Sequence, residues 1–175
     1  MTGPCFVDAN VLVYIRDPRD PAKRARAAAW RDHLWRSGLG RTSVQVLSET
    51  YAVLRRLRRD APADELWDGI ALYFAWNPHP VDENLLRRAR DVERRFRISW
   101  WDSMIVAAAQ LQDCALLLTE DLQDGMAFGS VTVRSPFTLE VREAAARYSV
   151  PPRIPGPHRP RGRPRRAARE SQGTA

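Results

Sequence analysis

The feature that most limits what this chain can become is a pair of short, uninterrupted apolar runs far apart in sequence, PCFV at 4–7 and ALLLT at 115–119. Runs this short and continuous read as strands covered on both faces, the habit of parallel sheets. Parallel neighbours need long crossovers, and the intervening segments supply them as helices. Pro21 opens a helix to about Ser37, ended by Gly38 and Gly40. Thr42 or Ser43 caps the next, with Val46, Leu47, Val53, Leu54 and Leu57 on one face up to about Arg59. Asp60 and Pro62 start ADELWDGIALYF, whose Leu66, Ile70 and Phe74 are expected to face the core.

A short strand over 77–81 is expected next, then a helix capped by Asp82 and carrying Leu85, Leu86, Ala89 and Val92. Ser99 caps the alanine-rich WWDSMIVAAAQLQ, and 131–133 is a last short strand. Strands alternating with helices give an α/β fold with a central parallel sheet between helical layers. One domain over 1–150 is expected, followed by a proline- and arginine-rich tail, 151–175, that cannot build a packed core and should be disordered.

Charge excludes less than it promises. The chain carries a net +7, but seven arginines and only one acid lie in 151–175, so six of those charges sit in the tail and the domain is nearly neutral. Basicity therefore points only the tail toward a polyanion. Cys5 and Cys114 form no repeated spacing, and His33, His79 and His158 are scattered, which argues against a disulfide framework, a zinc site or a histidine-pair nuclease. No window approaches the roughly 18 apolar residues of a membrane span, and no leader pattern opens the chain, so a soluble, cytoplasmic and unprocessed protein is expected.

Ligands in parallel α/β sheets bind beyond the carboxyl ends of the strands. Asp8 ends the first run, Asp121 follows the second by two residues, Asp102 lies in the first turn of its helix, and Glu49 reaches inward from the Ser43 helix. Taken singly each has an ordinary explanation: a helix cap for Asp8, the positive end of a helix for Asp102, a solvated helical acid for Glu49, a turn residue for Asp121. Taken together, crowded carboxylates repel and raise one another's pKa, a conflict that a divalent cation removes. Ser43, Ser48, Ser99, Ser103 and Thr119 add hydroxyls, and Asn10 adds a neutral oxygen. Such hard oxygen donors suit magnesium or manganese, whose chemistry is water activation and charge stabilisation at phosphorus. A phosphatase-like use of Asp8 as nucleophile would want a second acid two residues on, where this chain has Asn10.

Four segments, FVDANVLVYI (6–15), TSVQVLSETYAVLRR (42–56), ISWWDSMIVAAA (98–109) and LLLTEDLQDG (116–125), with VTVRSPF (131–137) closing, resemble the PIN-domain ribonucleases, specifically the VapC-type toxins of bacterial toxin–antitoxin pairs. The resemblance implies a PIN-like three-layer α/β/α domain, with Asp8, Glu49, Asp102 and Asp121 as a magnesium or manganese site that cleaves RNA. It also implies Asn10 and Asp124 as auxiliary groups, a homodimer and a cognate antitoxin partner. Arg134 and Ser135 stand where this subgroup usually reads Asn before Pro-Phe. On the same basis the arginines at 55, 56, 58 and 59 and at 87, 88, 90, 94 and 95 become candidates for RNA backbone contacts, and one of Trp100 and Trp101 for stacking on a base. The competing readings are a DNA or RNA-processing nuclease and a non-catalytic RNA-binding domain.

Overall fold

The computed structural model describes residues 3–141. The expected tail from Pro151, and the end of the expected 1–150 domain, lie outside the described residues. Among the described residues, five strands form one sheet in the order β2-β1-β3-β5-β4: β1 (Cys5–Val7), β2 (Gly40–Arg41), β3 (Leu116–Leu118), β4 (Ala127–Phe128) and β5 (Val131–Arg134). The first four in that order run parallel, and β4 returns antiparallel to β5. The sheet is thus mostly parallel rather than wholly so, because Gly125 and Gly129, both with positive φ, let the chain turn twice near the end. Both apolar runs are central strands, and every residue of β1 and β3 is buried.

Six helices among the described residues cover the sheet in a three-layer α/β/α arrangement: α1 (Ala9–Tyr14), α2 (Pro21–Ser37), α3 (Val44–Leu57), α4 (Ala63–Ala71), α5 (Glu83–Phe96) and α6 (Trp100–Leu111). Side-chain caps fix four of the later starts. Asp20 accepts from Lys23 N, Ser43 from Val46 N, Asp82 from Leu85 N and Ser99 from Asp102 N. Helix α4 has no such cap; Asp60 turns instead to Arg58. Helix α6 rests on β3 and β5 with α5 against it, and its Met104 to Ala109 are all buried. Small alanines allow that close approach.

Several expectations shift. The stretch 77–81 makes one isolated bridge, Ser43 to His79, because Pro78 and Pro80 have no N–H to extend a ladder. Gly40 does not end a helix but pairs in β2, where a Cβ would lie 2.4 Å from the Trp76 ring. Phe74 is half exposed rather than in the core. After Ala71 the chain tightens into a 3-10 turn, Leu72–Trp76, so the buried positions Ile70, Tyr73 and Trp76 follow a spacing of three and Phe74 rotates outward. Leu86 and Leu57 are also exposed.

Candidate functional site

At the carboxyl end of β1 the backbone leaves the sheet into α1, and Asp8 sits on that corner, its N–H still donated to Leu118 O and its side chain accepting from Ala9 N at 2.7 Å. It is a helix cap, as the plainest reading had it, and also the most buried acid of the group, only 8% exposed. Thr119, at the end of the adjacent β3, donates its hydroxyl to Asp8 Oδ2 at 2.7 Å. Asn10, two residues into α1, spreads its Nδ2 over Asp8 Oδ2 (3.3 Å), Thr119 Oγ1 (2.9 Å) and Asp121 Oδ2 (2.9 Å). Neighbouring parallel strands thus bring the two halves of the chain together at one point.

The remaining acids approach from the helices. Asp102 accepts the Ser99 hydroxyl at 2.7 Å in the first turn of α6. Glu49 projects from α3 and is exposed. Electrostatics tie the four into a chain. Burial pushes the Asp8 carboxyl up to about 7, with the charges of Asp121 and Glu49 adding to the rise against the lowering hydrogen bonds from Thr119 and Ala9. Glu49 is raised by desolvation, then by Asp121 and Asp102, with Arg56 opposing. None of the four forms a salt bridge among the described residues. As the side chains stand, no three His, Cys, Asp or Glu among the described residues are arranged to hold a metal ion. Asp8, Asp121 and Asp102 are instead turned to internal donors: Ala9 N, Thr119, Asn10 and Ser99.

The donor set nevertheless fits a hard cation. Asn10 Oδ1 is buried with no hydrogen-bond partner, an acceptor left without a donor beside two carboxylates. Asp124 belongs elsewhere: its Oδ1 accepts from Arg134 Nε at 3.0 Å and Ser135 N at 2.7 Å, anchoring the chain after β5. Trp101 is 66% exposed beside Asp102, whereas Trp100 packs against the core.

A cleft of about 550 Å³ runs from Asn10, Glu49 and Asp121 past Glu120 to Asp17 and Arg19. On the other side of Glu49, a second cleft of about 630 Å³ is mostly apolar, with Trp101, Val44, Val81 and Met104 in its wall. Two groups beside the acids were not legible as site residues. Lys23 donates to Glu120 Oε2 at 2.6 Å and to the Tyr14 hydroxyl at 3.0 Å. Asp17, buried, is gripped by Arg19 through Nε and Nη2, which holds its carboxyl down to about 2. The Asp-Pro-Arg spacing at 17–19 was the only sequence signal for the second, and nothing marked the first.

Comparison with known proteins agrees with this fold. The PIN domain profile matches residues 5–123, a span that contains all four acids. Among solved structures, the chain is similar to the crystal structure of Mycobacterium tuberculosis VapC20, a sarcin-ricin loop cleaving toxin, with a TM-score of 0.52 and 20% identity over 67% of this chain and 89% of that one. No curated protein sequence matches.

Proposed function

The chain belongs to the PIN-domain family, and from that premise we propose that it is a magnesium- or manganese-dependent endoribonuclease, the toxin of a toxin–antitoxin pair. One observation carries the reading: Asp8 is repelled by Asp121 and Glu49, and Glu49 by Asp121 and Asp102, while Asn10, bonded to Asp8 and Asp121, keeps a buried oxygen without a partner and none of the four acids forms an ion pair among the described residues. Repulsion of this kind, opposed only by the charge of Arg56 at Glu49, is what a divalent cation relieves.

Asp8, Asp102 and Asp121 would hold the ion, with Asn10 Oδ1 as a neutral donor, and Glu49 would hold it directly or orient water. When bound, magnesium or manganese supplies Lewis acidity toward phosphoryl oxygens and makes water a better nucleophile. Thr119 fixes Asp8 by its hydroxyl and Ser99 fixes Asp102, so that both carboxylates are oriented before substrate arrives. Asn10 keeps Asp121 within reach of Asp8. Trp101 offers an exposed ring on which a base of a single-stranded or looped RNA would stack. A cognate antitoxin and a second copy of the chain are the partners this reading implies.

The test is cleavage of labelled RNA and DNA by the full chain after chelation, with magnesium or manganese restored, beside D102N and D121N. RNA cleavage that needs the metal and both carboxylates supports the reading. Cleavage of DNA alone, or activity that survives EDTA and D121N, overturns it. Growth arrest on expression, relieved by the adjacent small gene, tests the toxin assignment.

A further inference from the structure

The cleft beneath the acids does not end at Arg19. A second groove of about 410 Å³ shares Asp17, Arg19 and Leu57 with it and continues to Arg16 and Arg58. The two adjoin through these shared residues, the first reaching Asp121 and the second having Arg16, Arg19 and Arg58 among its lining residues.

Two of those arginines are held by carboxylates, and the third lies against a glycine. Arg19 gives Nε and Nη2 to the buried Asp17 at 2.8 and 2.6 Å, which fixes the plane of the guanidinium and leaves its Nη1 edge uncommitted, on a side chain 68% exposed. Arg58 is held in the same manner by Asp60, with Nε and Nη2 each at 3.3 Å. Arg16 is the telling case. It is half-buried and its guanidinium has no hydrogen bond or ion pair to any described residue, yet α4 makes room for it: a Cβ on Gly69 would lie 2.3 Å from Arg16 Nη2. Glycine inside a helix is destabilising relative to alanine. Here it leaves space for a cation whose anion the described residues do not supply.

We infer that Arg16, Arg19 and Arg58 form a phosphate track that binds the RNA backbone on one side of the phosphate presented to the acids, an inference that rests on the nuclease reading. A guanidinium held on one edge offers phosphate a planar fork on the other, and the fixed orientation limits the entropy lost on binding. The track also answers an electrostatic problem. Four carboxylates repel a polyanion, and fixed cations along the same channel draw the strand past them.

The experiment measures binding of a fluorescein-labelled single-stranded RNA to the full chain by anisotropy across a salt series, in calcium and again in EDTA. R16Q and R19Q should each weaken binding roughly tenfold, the effect of removing one charge-assisted hydrogen bond, and flatten the log K against log salt slope by about 0.7 for each phosphate no longer neutralised. R26Q, outside the channel, should do neither. G69A supplies the decisive contrast: it displaces the Arg16 head while improving the helix, so binding falls as the melting temperature holds or rises. R16K should keep the fold and part of the affinity. Wild-type affinity and slope in R16Q, R19Q and G69A, or no RNA binding by the wild type in either condition, overturns the track. If cleavage is intact and the slopes do not change, only the track falls. If the slopes change but no RNA is cut, the nuclease reading falls, and with it the track's place beside a scissile phosphate, leaving only backbone binding by the arginines.

Discussion

Asn10 donates its amide to Asp121 Oδ2 at 2.9 Å while its own Oδ1 faces no donor, so a single side chain both joins two acids and withholds an acceptor. N10A removes the bridge and should destabilise the metal-free protein by about 1–3 kcal/mol. N10D substitutes a fifth carboxylate for the donor, so its loss should be larger in EDTA and shrink when magnesium is added. Urea titrations of the three proteins with and without magnesium measure this. Equal stability of N10D and wild type in EDTA would contradict the electrostatic account.

Asp8 predicts an inverse pH dependence. Its carboxyl is raised to about 7 chiefly by burial, so between the ordinary carboxylate range and pH 7 the folded chain keeps a proton that the unfolded chain has released. That stability is present in full below about pH 4 and is lost progressively as pH rises from there through 7, on the order of 4 kcal/mol in all. In EDTA the melting temperature attributable to this group should therefore fall from pH 5 to pH 8, and D8N should remove that slope and exceed wild type at pH 8. Parallel curves for the two proteins would sink the assignment.

Lys23 sits 4.5 Å from the Tyr14 ring centroid and 4.9 Å from that of Phe137 while bonding Glu120, the neighbour of Asp121. The Glu120 carboxylate and the Tyr14 hydroxyl both raise its pKa, so it stays charged across the working range. K23M keeps the apolar stem and loses the tether. We expect a loss of about 1 kcal/mol of stability and a larger fractional loss of cleavage, with weaker magnesium affinity, because the loop carrying Asp121 is no longer held to α2. An unchanged magnesium dependence would argue against a positioning role.

Trp101 is exposed, so W101A should leave the melting temperature within a degree or two while weakening RNA binding by the equivalent of about 1–3 kcal/mol. W101F should recover most of it. A variant that melts early but binds normally would reverse the interpretation, placing the indole in packing instead.

The strand ends carrying Asp8 and Asp121 were legible because buried strands in a parallel sheet leave an unbroken apolar run, and the acid that stops the run marks its carboxyl end. Asp102 and Glu49 followed from capping serines that fixed where α6 and α3 begin. What escaped was set by tertiary geometry. Helical period alone places Phe74 inward, but the 3-10 turn changes the period at Leu72. Two-residue strands such as Gly40–Arg41 and Ala127–Phe128 leave no pattern to read. Lys23 and Glu120 are 97 residues apart, and Gly69 looks like a helix defect until Arg16 is seen lying against it. Asp124 shared the motif of Asp121 yet points to Arg134, since neighbours in a turn need not face the same way.

The strands at either end of the sheet order, β2 and β4, are only two residues each, and the Trp76 ring lies against the first of them. A rim so short offers another chain almost no row of free backbone donors and acceptors to template on. Association by added strands, productive or aggregating, is therefore disfavoured at both edges of the described sheet. Among the described residues, the surface left for another protein is chiefly helix and loop.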